Sequence, residues 1–325
     1  AFSDYIKLKE MNDAHAFINS LGGKSCIMCN VYDESVNKEI LEFRSANDIK
    51  LQYSNQNVYI MKAKSEGSIS LGKFWLEHGE RRTYMTVVFD PKQPREFAPD
   101  ANKPKNLVYN MWEGLSITPE KGCWKKMRTH IWEIICNKDK TKFKYMIRWL
   151  AWMMQNVADR AEVAIVIKGK QGAGKGILFS QFQKIFGPHY MNISSADHLT
   201  GKFNGHLRKT VFLFADEAYD PKDRESEGKL KQLITEPTIP IEAKFKDTVI
   251  AKNRLHIVMA TNNARVIIAG EDSRRFFINE VDNKWAKGQG KTDDQRDAYF
   301  TPIWKEMDNG GREAMVYDFQ NIKLN

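Results

Sequence analysis

The chain has 325 residues, 42% hydrophobic and 28% charged, enough for a large core and for two domains. No apolar run approaches the roughly 20 residues of a membrane span, which sets the membrane-spanning class aside; no signal peptide is visible, and a cytoplasmic location is expected. A net charge of +9, with a pI near 9.1, suits a polyanionic partner without specifying one.

Residues 1–124 read as a smaller mixed α+β domain in which no motif reveals a role. Lys24–Val31, Tyr53–Met61 and Thr83–Phe89 have the alternation and β-branched or aromatic content of strands. Cys26 and Cys29 form a CxxC inside the first of these. Cys123 and Cys136 supply no matching second pair, so thiols are expected rather than a zinc site. Pro91–Lys105 is a proline-rich loop; Asn106–Gly114 follows it, and then turn chemistry through Gly122. Residues 125–160 read as helical. Phe143, Met146, Ile147, Leu150, Met153, Met154 and Val157 fall on one apolar stripe, widened by Trp149 and Trp152, which we assign to packing.

The most informative stretch follows. Val163–Ile167 is a short apolar strand, Ile177–Phe186 carries apolar residues at helical spacing, and Gly169-Lys-Gln-Gly-Ala-Gly-Lys-Gly176 joins them. Strand, glycine loop and helix in that order make a phosphate-binding P-loop. Gly169, Gly172 and Gly174 let the backbone curl so that N–H groups face phosphate oxygens, and the helix adds its positive end. Lys175 reaches the β- and γ-phosphates of ATP. Gly176 stands where such loops place a Ser or Thr whose hydroxyl helps hold Mg²⁺, which moves metal binding onto water or another residue.

Further along, Thr210–Asp216 is an apolar strand ending in Asp216 and Glu217, a Walker B arrangement. We expect this strand beside the P-loop strand, with Asp216 in the Mg²⁺ shell and Glu217 on the attacking water. Lys229–Glu236 reads as a helix. After a proline break comes a strand carrying Lys244, Phe245 and Lys246, and residues 248–253 turn back to make a hairpin. Cations flanking an aromatic at a hairpin tip can hold single-stranded DNA by phosphate contact and stacking. Leu255–Asn263 is another apolar strand, ending in Asn262, our choice for a γ-phosphate or water contact, with Asn263 as the alternate. Arg274 and Arg275 precede a last apolar strand, where an arginine could serve a neighbouring subunit's γ-phosphate. Residues 286–325 read as a C-terminal helical extension, with a helix near Asp297–Met307 assigned packing alone.

Taken in order, these pieces resemble the superfamily 3 helicases of viruses and plasmids, and most closely the D5-like primase-helicases of phages and viruses. The resemblance rests on Gly169–Gly176, His198–Asn204, Phe214–Ala218, Leu230–Glu236, Met259–Asn263 and Asp272–Phe277. It implies an AAA+-type P-loop NTPase core over residues 125–285, α/β in class with a central parallel sheet, acting as an ATP-dependent DNA helicase in replication of a mobile element. It also implies a homo-oligomeric ring, usually a hexamer, on single-stranded or forked DNA, and a possible upstream primase or polymerase domain. Within that picture Lys175, Asp216, Glu217 and Asn262 act in cis and Arg275, rather than Arg274, in trans, while Lys244 and Lys246 line the pore. Two other readings remain open: a remodelling or packaging ATPase that does not unwind, and a nucleotide kinase, whose loop Gly-Ala-Gly-Lys-Gly resembles.

Overall fold

The computed structural model describes residues 2–34, 37–62, 65–218, 224–242, 248–262 and 274–324. The chain divides into two compact units, Ala1–Met111 and Trp112–Asn325. No helix among the described residues is long and apolar enough to cross a membrane.

In the first unit, helix α1 (Phe2–Ala14) leads into the antiparallel strands β1 (His15–Leu21), β2 (Lys24–Asp33) and β3 (Lys38–Arg44). Helix α2 (Ala46–Gln52) opens on a capping box in which Ser45 Oγ accepts from the Asp48 N–H and the Asp48 carboxylate accepts from the Ser45 N–H. A hairpin of β4 (Asn57–Lys62) and β5 (Ser65–Ser70) and helix α3 (Leu71–Glu77) follow. Leu8, Met11, Ile27, Ile49, Val58, Leu71 and Trp75 close one core between these helices and the sheet. The strand expected over Tyr53–Met61 begins only at Asn57, because Tyr53 caps α2 and its N–H still bonds to the Ile49 carbonyl. Thr83–Phe89 breaks into β6 (Thr83–Tyr84), which extends the first sheet beside β1, and β7 (Val87–Val88), which joins β8 (Glu96–Phe97) and β9 (Val108–Asn110) in another.

The second unit takes in residues 112–124 as well. Trp112 stacks on His189 at 4.6 Å, the Glu113 N–H donates to His189 Nε2, and the Ser116 N–H donates to the Ile185 carbonyl. Helix α4 (Lys125–His130) runs into a π-turn, Ile131–Ile135. Helix α5 (Lys140–Gln155) starts at Asp139, whose carboxylate accepts from the N–H groups of Thr141 and Lys142. Met146, Leu150, Met153 and Met154 bury the stripe read from the sequence.

Beyond α5 the chain alternates β10 (Ala164–Lys168), α6 (Lys175–Phe186), β11 (Tyr190–Ile193), α7 (Ala196–Thr200), β12 (Phe212–Asp216) and α8 (Arg224–Thr235). An antiparallel hairpin of β13 (Thr238–Ile241) and β14 (Val249–Lys252) precedes β15 (His256–Thr261) and β16 (Phe276–Glu280), and helices α9 (Asp293–Glu306) and α10 (Arg312–Asn321) end the chain. Five strands form one sheet in the order β11-β12-β15-β10-β16, every neighbouring pair parallel. Strands β10 and β15 are almost wholly buried, and their unbroken apolar runs are what a parallel sheet covered on both faces requires. Phe179, Phe182 and Phe186 share one face of α6, and all three rings stack on Phe212 of β12.

One expectation is corrected. The acid-tipped strand β12 does not lie beside the P-loop strand, because β15 is inserted between them and bonds to both. Apolar strands of similar length satisfy either neighbour equally, so sequence alone does not set their order. The turn-back hairpin is present, but its tip, with Lys244, Phe245 and Lys246, lies outside the described residues, as does Asn263.

Candidate functional site

Parallel pairing brings the carboxyl ends of three strands level. Lys168 of β10 lies opposite Thr261 of β15, and Ala260 lies opposite Asp216 of β12. At a strand spacing of about 4.8 Å, Asp216 stands two strands, or roughly 10 Å, from the glycine loop that leaves β10. This is the crevice beyond the carboxyl edge where open α/β sheets bind ligands. A cavity of about 480 Å³ occupies it, lined by the loop, by Asp216, Glu217 and Asn262, and by residues of α9.

The loop is held from several sides. The Gly169 N–H donates to the Thr261 carbonyl at 3.1 Å, and the Lys170 N–H to Asn283 Oδ1 at 2.7 Å. Gly172 and Gly174 have φ of 77° and 95°, a region that side-chain-bearing residues rarely adopt. Gly174 precedes α6, so the loop runs into the positive end of that helix, where the first backbone N–H groups lack the usual i−4 carbonyl within it. Lys175 is 8% exposed. Its ammonium donates to the carbonyls of Gly169, Lys170 and Thr261 and to Asn262 Oδ1. Burial lowers its pKa, and the nearby charges of Glu217 and Asp216 oppose that shift.

Asp216 and Glu217 are exposed at the mouth of the cavity. Glu217 has φ of 55°, a left-handed conformation that costs a residue with a side chain of order 1 kcal/mol or more. Its N–H bonds to the Ala260 carbonyl at 2.9 Å, which ties the turn after β12 to β15.

Arg274 and Arg275 lie elsewhere. Phe276 pairs with Ala164 and Glu280 with Lys168, so the arginines stand at the amino edge of the sheet while the loop leaves the carboxyl edge. Five residues of strand separate the two edges, about 16 Å. Among the described residues, neither arginine lines the cavity of its own chain.

Several residues at this site carry no local sequence signal. His130, at the end of α4, is fully buried beneath the loop, and burial pushes its pKa down to about 4. Neutral, it donates from Nε2 to the Gly174 carbonyl and accepts at Nδ1 from the Tyr299 hydroxyl, both at 3.1 Å. Arg296 of α9 donates to the carbonyls of Gly172 and Trp285 and pairs with Asp293. Glu306, ten residues further along α9, accepts from the N–H groups of Lys126 and Met127 and so caps α4. The C-terminal segment, expected only to pack, therefore supplies Arg296, Asp297, Phe300 and Trp304 to the cavity wall. The capping box at Thr292 and Gln295 that fixes where α9 begins was readable in the sequence; the direction of its inner face was not.

Comparison with known proteins adds three findings. A family of unknown function, DUF5906, matches residues 167–275. The DNA primase-polymerase of Nitratiruptor phage NrS-1 is 26% identical over 199 residues, a match that covers 60% of this chain and 27% of that protein. Two apo structures of the NrS-1 C-terminal region superpose with TM-scores of 0.69 and 0.68 at 18% identity, covering 99% of this chain and 70% and 69% of theirs. The chain shares the fold of that region along nearly its whole length.

Proposed function

We propose that this protein is an ATP-driven motor that moves on single-stranded DNA and separates duplex strands during phage-type DNA replication, as the D5-like primase-helicases do. The observation that carries the reading is the convergence of Lys175, Asp216, Glu217 and Asn262 on one cavity at the carboxyl edge of a parallel sheet. The similarity to a phage DNA primase-polymerase supports the replication setting, and the long alternating β-α core supports an AAA+-type assignment.

The residues fit a nucleotide. A buried ammonium surrounded by neutral carbonyls and an amide gains a better partner when phosphate oxygens arrive beside it. A Cβ at Gly176 would meet nothing within 4 Å, so the position where a loop hydroxyl would stand is open space. Among the described residues no group of three His, Cys, Asp or Glu side chains forms a metal cage. Mg²⁺ commonly needs only one or two carboxylates besides phosphate oxygens and water, and Asp216 provides one. When bound, ATP and Mg²⁺ supply the phosphoryl group and its charge neutralisation.

The chain's own groups then divide the work. Lys175 and the first N–H groups of α6 hold phosphate oxygens. Glu217 accepts the proton of the attacking water, and Asn262 orients it without adding charge. Arg275, remote from its own cavity, acts on the cavity of a neighbouring copy in a homo-oligomeric ring, and the β13–β14 hairpin carries Lys244, Phe245 and Lys246 to DNA. Strand displacement on a forked duplex with ATP and Mg²⁺ tests the reading. Displacement by the wild type, lost in Lys175→Ala, is the expected result. ATP hydrolysis with no displacement on any fork would instead identify a remodelling or packaging ATPase.

A further inference from the structure

Among the described residues that line the cavity, only Ile177, Phe300 and Trp304 carry apolar side chains, and two of these are aromatic rings on α9. Asp297, Phe300 and Trp304 follow the spacing i, i+3, i+7 and so share one face of that helix. Phe300 lies against the loop, because a Cβ at Gly174 would come within 2.9 Å of its ring edge. On the other side of the loop, Lys175 turns towards Thr261 and Asn262 at the strand ends. Lys175, the cation that suits a phosphate tail, thus lies at the sheet, while α9 supplies the flat apolar surfaces together with Arg296, whose guanidinium is held by the Gly172 and Trp285 carbonyls and by Asp293. Phe300 and Trp304 are only half-buried, and Asp297 is exposed at the cavity wall.

We propose that this face of α9 is the nucleobase end of the pocket: a purine ring stacks on Phe300 and Trp304, and the Asp297 carboxylate accepts an N–H from an amino group on the base edge. The inference rests on the nucleotide reading above. Stacking on an aromatic is sequence-tolerant because every base has a π-face, so the rings hold the base and the carboxylate discriminates. An ionised carboxylate only accepts hydrogen bonds, so it favours a base edge that carries an amino donor over one that has none. A cavity of about 480 Å³ lies within the range for a ligand larger than a bare phosphate chain.

Direct binding titrations with ATP, purine riboside triphosphate, which lacks the amino group, and inorganic tripolyphosphate test the proposal. The wild type binds ATP more tightly than either other ligand. Trp304→Ala weakens both nucleotides by roughly 5- to 150-fold, the worth of one stacking contact, and leaves tripolyphosphate unchanged. Trp304→Phe restores most of the loss. Asp297→Ala, a change at an exposed position, erases the preference for ATP over purine riboside triphosphate. Tripolyphosphate binding equal to that of ATP, or ATP binding unaffected by both alanine variants, overturns the base site while the phosphate site stands. If a folded wild type binds none of the three ligands, the nucleotide reading itself fails and the base site with it.

Discussion

Gly174 and Gly176 stand two residues apart yet make opposite demands. Gly174 has φ of 95°, and a Cβ there would come within 2.7 Å of His130 Cε1 and 2.9 Å of the Phe300 ring. Gly176 is helical, and a Cβ there meets nothing. Gly174→Ala should cost roughly 1–3 kcal/mol, a fall of about 2–4 °C in melting temperature for each kcal/mol. Gly176→Ala should be neutral or stabilising by on the order of 0.5 kcal/mol, because alanine is the better helix former. Thermal melts of the two variants check both signs. At this scale the loop and the Asp216–Glu217 pair were legible, because each is a short string of residues with its chemistry written in order. His130 and Arg296 were not. Their contacts with the loop span 44 and 124 residues of sequence, and nothing near either side chain marks it as a partner.

At the scale of elements, sequence periodicity identified β10, α6, β12 and β15 almost to the residue, because each is a continuous apolar run or stripe bounded by polar residues. Their lateral order was not legible. Any of these strands can offer the same ladder of backbone groups to any other, and the insertion of β15 between β10 and β12 is a property of the packed sheet. That insertion puts Lys175 against Asn262 rather than against an acid, while Asp216 and Glu217 face it across the cavity. The other edge matters as well. Arg275 immediately precedes β16, at the edge of the sheet remote from the loop, so a role at phosphate requires a second copy. Lys175→Ala lacks a working loop but keeps its arginine, and Arg275→Ala the reverse. Each alone should be inactive in ATP hydrolysis, and a mixture should regain a fraction of wild-type turnover. A mixture as inactive as its components would remove Arg275 from the mechanism.

For the whole molecule, the fully buried histidines of the second unit include His130 beneath the loop and His256 at the start of β15. Burial holds both near a pKa of about 4, well below the unfolded value of 6.5. Between those values the unfolded chain binds more protons than the folded one. Stability is therefore fully present above pH 6.5 and is lost as pH falls towards 4, on the order of 3 kcal/mol per histidine. Melting temperatures measured from pH 7 to pH 4.5 should fall, and His256→Leu should flatten that slope even if it lowers the melting temperature at pH 7. His130 couples this titration to the site, since its proton-free Nδ1 is what accepts from Tyr299 of α9.

A loop at Lys175 that is a site of nucleotide turnover responding to DNA would show itself in phosphate release. Release of phosphate from ATP in Mg²⁺, measured with and without single-stranded DNA for the wild type and Lys175→Ala, tests this in one experiment. The expected result is hydrolysis by the wild type, faster with DNA, and none above background in the variant. Turnover in Lys175→Ala equal to that of the wild type, or no turnover by a folded wild type in the presence of DNA, would contradict it.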